Sequence, residues 1–234
     1  MSDIYQERMS AAIFNWSTGK DSAMALHKFL NEERMPLKFL LTSVSEKYFR
    51  VSMHGIKESL LDQQVECIGL ELKKVYIPEN ASNETYEKVM FDFFSKHAGN
   101  ITHSVFGDIN LEDLRVYREK QLDKLDIKAV FPLWEINTAE LAKNFIDQGF
   151  KALVVSVDAS KLPKEACGKL FDQQFLNSLP EGVDPCGENG EFHTFVFDGP
   201  VFRYPVKFTK REIVYKEYET PASTFGFWYC DLDN

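Results

Sequence analysis

Between residues 11 and 133 five short apolar runs alternate with four stretches of helical periodicity, and this alternation constrains the fold more than any other feature of the chain. The runs occupy residues 11–16, 37–44, 72–77, 101–106 and 127–133. Helical spacing fills the intervals at 21–33, 54–68, 83–97 and 111–125, with Pro36, Gly69 and Pro78 as stops. Strands joined by helices cannot pair as hairpins. The rhythm predicts an α/β fold with a five-stranded, doubly wound parallel sheet of Rossmann-like type. Ligands of such sheets bind beyond the carboxyl ends of the strands.

After residue 135 the rhythm changes. A helix at 138–148, a strand at 152–157 and a helical patch at 163–178 precede short strands at 194–197, 203–209, 213–218 and 225–229. The division expected is an N-terminal domain of residues 1–135 and a smaller α+β domain of residues 136–234 that packs on it to make a cleft. The aromatic stretch 225–229 suits core or a subunit interface, so a homo-oligomer is one expectation.

A formal charge of −9 argues against an extended surface for nucleic acid, although it leaves room for a local positive pocket. No apolar run reaches the roughly 18 residues of a membrane span, and the first eight residues are polar rather than leader-like. A cytoplasmic protein is the expectation. Cys67, Cys167, Cys186 and Cys230 form no C-x-x-C pair, so neither zinc nor a disulfide framework is expected. Cys186 has no histidine paired with it in sequence to suggest a nucleophile.

Two segments carry chemistry. Ser17-Thr18-Gly19-Lys20-Asp21-Ser22 turns the first strand into the first helix, where amide groups at the helix N-terminus can hold a phosphate. Gly19 allows close approach, Lys20 supplies charge, and the two serines add hydroxyl donors. The plain alternative is a capped βα turn, because Ser and Asp favour N-caps. The other segment is Asp184-Pro185-Cys186-Gly187-Glu188-Asn189-Gly190-Glu191-Phe192-His193-Thr194. Gly187 and Gly190 permit tight turning. Glu188 and Glu191 are of the type that binds magnesium, holds an amine or acts as a base; Asn189 and His193 are of the type that orients a carbonyl or ammonia. A solvated loop leading into a strand is the structural alternative.

Together the two segments resemble the diphthine–ammonia ligase family, a branch of the N-type ATP pyrophosphatases. The first resembles that superfamily's Ser-Gly-Gly-Lys-Asp-Ser pyrophosphate loop; the second resembles the family's Gly-Glu-Asn/Gly-Gly-Glu-Phe-x-Thr signature. Weaker matches are Met53-His54, Gly107-Asp108-Ile109 with Arg115 and Glu119, and Pro132-Leu133-Trp134. The resemblance implies an enzyme that adenylylates a carboxylate with ATP, releases pyrophosphate, and lets ammonia displace AMP to form an amide. It implies ATP contacts from Ser17, Thr18, Gly19, Lys20, Asp21, Ser22, Thr42, Ser43, Val44, Gly107 and Arg115. It places acceptor and ammonia near His54, Gly187, Glu188, Asn189, Gly190, Glu191 and Thr194, with Lys20, Glu188, Asn189, Glu191 and His193 catalytic. ATP, Mg2+ and ammonium are the implied partners, with Asp21 placed to help hold the magnesium or simply to cap the helix. The carboxylate acceptor is the modified histidine of elongation factor 2 if the source is archaeal or eukaryotic, and another carboxylate if it is bacterial.

Thr18 departs from the family pattern, since it stands where the first Gly of the pair is usual. If that position needs a positive φ, a β-branched residue is strained there. That departure keeps a second reading open, an adenine-nucleotide sensor without turnover. A third reading is a tRNA-modifying adenylylating enzyme, which the charge and the absence of C-x-x-C pairs disfavour.

Overall fold

The computed structural model describes residues 10–52, 54–219 and 224–234. Met53 and the polar stretch at residues 1–8 lie outside the described residues. Strands β1 (Ala12–Asn15), β2 (Leu37–Ser45), β3 (Leu72–Ile77), β4 (His103–Val105) and β5 (Lys128–Val130) form one parallel sheet in the order β3-β2-β1-β4-β5. Side chains of successive strand residues point to opposite faces. Ala12, Phe14, Leu40 and Val44 accordingly face one core, and Ile13, Phe39 and Leu41 the other. Helices α1 (Lys20–Glu32) and α2 (Glu58–Ile68) cover the first face through Leu26, Phe29, Leu60 and Leu61. Helices α3 (Asn83–His97) and α4 (Glu112–Asp123) cover the second through Phe94 and Leu122. The sheet is therefore doubly wound. Its strand order reverses between β1 and β4, the position where this architecture opens a crevice.

Local sequence explains the helix ends. Ser82 caps α3, its Oγ accepting the Thr85 N–H at 3.2 Å. Gly69 closes α2 at φ 79° in the left-handed region, and its N–H donates to the Val65 carbonyl. Helical spacing runs back to residue 54, but α2 starts at Glu58. Isolated bridges Val44–Val51 and Arg50–Lys57 fold the preceding residues into a tight excursion after β2.

The second lobe follows α5 (Thr138–Asp147). It is a four-stranded antiparallel sheet of β6 (Lys151–Asp158), β7 (Phe192–Asp198), β8 (Thr209–Glu219) and β9 (Thr224–Asp233), ordered β7-β6-β9-β8. The fold is thus an α/β sheet joined to a smaller α+β lobe. Two local expectations are corrected. The patch at 163–178 is not one helix but a 3-10 turn (Lys164–Ala166) and the short α6 (Gln173–Asn177), separated by Gly168 at φ 80° and an antiparallel bridge between Leu153 and Leu170.

The run at 203–209 is not a strand before Thr209. Pro205 has no N–H to give a ladder, and Arg203 turns back onto the end of α2, donating from its amide to the Cys67 carbonyl (2.8 Å) and from Nη2 to that of Gly69 (3.2 Å).

One apolar cluster runs through both lobes, from Phe14 and Leu61 to Val154, Phe195 and Leu232. Within the described residues no helix is long and apolar enough to cross a membrane, and all four cysteines are buried free thiols.

Candidate active site

The carboxyl end of β1 opens into residues 17–22, and β7 arrives beside them from the second lobe. The Lys20 N–H donates to Thr194 Oγ1 (3.0 Å) and the Val196 N–H to the Thr18 carbonyl (3.0 Å). His54 Nδ1 lies 3.0 Å from the Thr194 carbonyl oxygen. Below them Gln64, fully buried, receives the Trp16 indole N–H (2.7 Å) and donates to the carbonyls of Thr18 (3.1 Å) and Val196 (2.6 Å). The two segments singled out in the sequence are thereby stitched into one structure.

The loop itself is tightly built. Ser22 Oγ donates to the Gly19 carbonyl (2.9 Å) and accepts from Ser17 Oγ (3.1 Å). A Cβ at Gly19 would stand 2.5 Å from the His54 ring, and one at Gly107 would stand 3.0 Å from the Ser22 nitrogen. Both glycines are required for close approach rather than for turning. Thr18 sits at φ 75°, fully buried, and its Oγ1 has no hydrogen-bond partner among the described residues.

Above the loop lies a cavity of about 690 Å³. Its wall includes Ser17, Lys20, Asp21, Ser22, Thr42, Ser43, His54 and Gly107 from the first lobe, and Gly187, Glu188, Gly190, His193 and Thr194 from the second. Lys20 is 4% exposed, its ammonium 2.7 Å from the Asp21 carboxylate and 5.7 Å from the centre of the Phe192 ring. Burial acts to lower its pKa, but Asp21, Cys186 and Glu188 outweigh it, and the ammonium is held above the ordinary lysine range. Burial, reinforced by Asp21 and opposed by Lys20, pushes the Glu188 carboxyl up to about 7. Burial, with His54 and Lys20, lowers His193 to about 3, and burial also lowers His54. The two imidazoles lie 4.9 Å apart and are neutral near pH 7.

Six of the expected residues stand elsewhere. Thr18 and Gly19 shape the loop from beneath without forming cavity wall, and Val44 is core. Arg115 pairs with Glu119 (2.9 Å) and lies over the Trp134 ring (4.6 Å); one turn on, Arg118 forms cavity wall with its partner Asp108 (2.7 Å). Glu191 is 2% exposed and accepts from the amides of Asp184 (3.1 Å) and Asn189 (2.9 Å) and from the Asn189 side chain (3.1 Å). Asn189 and Glu191 thus lock the turn that presents Glu188. Cys186 donates to the Thr138 carbonyl (3.2 Å), and burial pushes its thiol up to about 12, which disfavours the thiolate that a nucleophile needs.

Comparison with known proteins matches residues 9–129 to the diphthamide synthase N-terminal domain and residues 137–222 to the diphthamide synthase C-terminal domain. The chain belongs to the diphthamide synthase family. Relatives named diphthine–ammonia ligase share 31% identity over 105 residues in Homo sapiens and 32% over 105 residues in Bos taurus. Each match covers 43% of this chain and 39% of the relative. A Schizosaccharomyces pombe relative of the same name is 28% identical over 100 residues, 41% of this chain and 16% of its own length. The chain thus matches well under half of these diphthine–ammonia ligases.

Sequence reasoning missed Gln64 and Arg118, and singled out the segment that begins at Asp184 without giving that residue a role. Gln64 had a signal, for it stands on the apolar stripe Leu60, Leu61, Val65, Ile68 where a polar side chain must find buried partners. Asp184 organises the family's acidic loop, its Oδ1 accepting from the Cys186 amide (2.7 Å) and its Oδ2 from the Thr138 hydroxyl (2.6 Å). An Asp two residues before a turn amide is a recognisable Asx pattern.

Proposed function

We propose that the cleft is the active site of an ATP-dependent amide ligase. The observation that carries this reading is the junction of the two loops, which sets the Lys20 ammonium and the Glu188 carboxyl on one cavity wall. Among the described residues the Asp21 and Ser22 amides at the start of α1 have no hydrogen-bond acceptor, as suits a phosphate site. With ATP bound there, a carboxylate oxygen of the acceptor attacks the α-phosphorus, the bond to the β-phosphate oxygen breaks, and pyrophosphate leaves. Lys20, charged at every physiological pH, stabilises the charge developing on that leaving group. Ammonia then attacks the acyl carbon and AMP departs. Glu188, with a pKa near 7, is suited to take the proton from ammonium and deliver free ammonia.

Asp21, already tied to Lys20, and Glu188 suit a magnesium ion carried in on the phosphates rather than a protein cage, and among the described residues no cluster of three metal-binding side chains exists. Such an ion would neutralise phosphate charge. The relatives' names point to the diphthine carboxylate as acceptor. The strained Thr18 supports a second reading, nucleotide binding without turnover. Incubation with ATP, magnesium, ammonium and a carboxylate acceptor separates them. Acceptor-dependent AMP and pyrophosphate support the ligase, nucleotide binding alone supports the second reading, and ADP with phosphate refutes the ligase.

A further inference from the structure

The antiparallel sheet ends on β7 at one side and on β8 at the other, and the two edges differ. The β7 edge is occupied: the Val196 N–H donates to the Thr18 carbonyl (3.0 Å), and the Phe197 carbonyl accepts from the Val206 N–H (2.7 Å). Among the described residues no strand lies on the outer side of β8. Its ladder with β9 is regular from Ile213 to Glu219, beyond a bulge that begins at Lys210. A long regular edge of unpaired backbone N–H and C=O groups is a template for another strand.

The side chains along this edge decide which strand fits. Arg211 is engaged with Asp233 (3.3 Å), and Glu217 accepts from the Tyr215 hydroxyl (3.3 Å). Glu212, by contrast, has no hydrogen bond or ion pair among the described residues. Lys216 has no carboxylate partner there, only the Tyr229 ring at 5.6 Å. Val214 stands midway between the two unpaired charges, and its neighbour Tyr215 is 46% exposed.

Two-fold symmetry restricts the pairing further. Opposed residues of an antiparallel pair point to the same face and neighbours along a strand do not, so one residue must oppose its own copy. Centred on Glu212 or Lys216, β8 would set like charges face to face. Centred on Ile213 or Tyr215, it would set Glu212 against Val214 or Tyr218. Centred on Val214, it sets Glu212 against Lys216 twice, Ile213 against Tyr215 twice and Val214 against itself. That register answers both unpaired charges and covers Tyr215.

We propose that β8 pairs antiparallel with β8 of a second copy about a two-fold axis at Val214, joining the two four-stranded sheets into one. Glu212, Val214 and Lys216 also form wall of a further cavity of about 690 Å³ beside the His54–His193 pair, so the axis brings the cavities of the two protomers together. The pairing does not rest on the ligase reading.

Sedimentation equilibrium of the full chain, from micromolar to millimolar concentration, tests it. A monomer–dimer equilibrium is expected. Both charged positions are exposed, so substitutions there should leave the monomer folded. Glu212→Lys and Lys216→Glu should each weaken self-association by about tenfold, since the symmetry turns two attractive pairs into two repulsive ones. An equimolar mixture of the two variants should recover the wild-type affinity as a heterodimer, and the double variant Glu212→Lys/Lys216→Glu should recover it alone. A merely structural effect on β8 would not be cured by mixing. Three results would each overturn the proposal: monomer at every concentration, a dimer indifferent to both single reversals, or a mixture that fails to associate.

Discussion

Thr18 offers the sharpest test of the physical reading, because two separable defects meet in one side chain. Its φ of 75° puts a β-branched residue in the left-handed region, at a cost of about 1–2 kcal/mol. Its buried, unpartnered hydroxyl costs about 1–3 kcal/mol more. Thr18→Val keeps the shape and the strain but removes the hydroxyl, and should stabilise by about 1–2 kcal/mol. Thr18→Gly removes both defects. It gives up about 0.8 kcal/mol for each buried carbon and about 0.4–1 kcal/mol through the freer unfolded chain. The net gain for Gly is about 1 kcal/mol, a rise of about 2–4 °C in Tm for a chain of this length. Scanning calorimetry or urea titration of both variants reads the difference. A loss of stability in Thr18→Val would mean that the hydroxyl is bonded, and a loss in Thr18→Gly would mean that the backbone is unstrained. Either result refutes the argument.

Glu188→Gln should separate stability from function. Because the folded carboxyl titrates near 7 rather than near 4.5, the wild type loses folding free energy as pH rises from about 4.5 through 7. The variant should lack that loss, gaining up to about 3 kcal/mol over wild type at pH 8 and nothing at pH 4, while amide formation falls; equal stability curves would refute the burial argument. His193 has the opposite sign. Its folded pKa lies below 6.5, so its contribution is present above 6.5 and is lost as pH falls toward 3. His193→Gln should flatten that part of the acid limb in a pH series of melting curves, and an unchanged limb would count against a buried neutral imidazole. Gln64→Leu should cost about 2–4 kcal/mol in urea unfolding, since it strands the Trp16 indole N–H and releases two carbonyls. A change below about 0.5 kcal/mol would show that the loops are held together by other means.

What the sequence disclosed, and what it hid, follows from the range of the forces involved. The parallel sheet was readable because the central strands β1 and β2 are apolar on both faces and each βα unit is local. The loop at residues 17–22 was readable for the same reason. The segment at 203–208 misled because an apolar, aromatic run says nothing of whether Arg203 will find the carbonyls at the end of α2, a contact that joins residues 134 positions apart. Arg115 and Arg118 lie one turn apart on α4, a helix with only a faint apolar stripe, so spacing did not decide which would face the cleft. Glu188 and Glu191 have the same chemistry and nearly the same neighbours in sequence. Only the backbone turn, set by Asp184 and two left-handed glycines, buries one as a latch and presents the other. The hydrogen bonding of Gln64 needed β7 in place before it meant anything.

The dependence of the first lobe's loop on Thr194 and Val196 bears on how the molecule comes into being. A ribosome-bound chain whose first sheet has emerged carries Lys20 and the start of α1, yet lacks the strand that receives the Lys20 amide and the Thr18 carbonyl. On the reading proposed above, such a nascent chain would not hold ATP in the geometry of the finished protein until residues beyond 196 are added. Two fragments divided near residue 136 should each be inert alone, and binding of ATP should appear only on mixing.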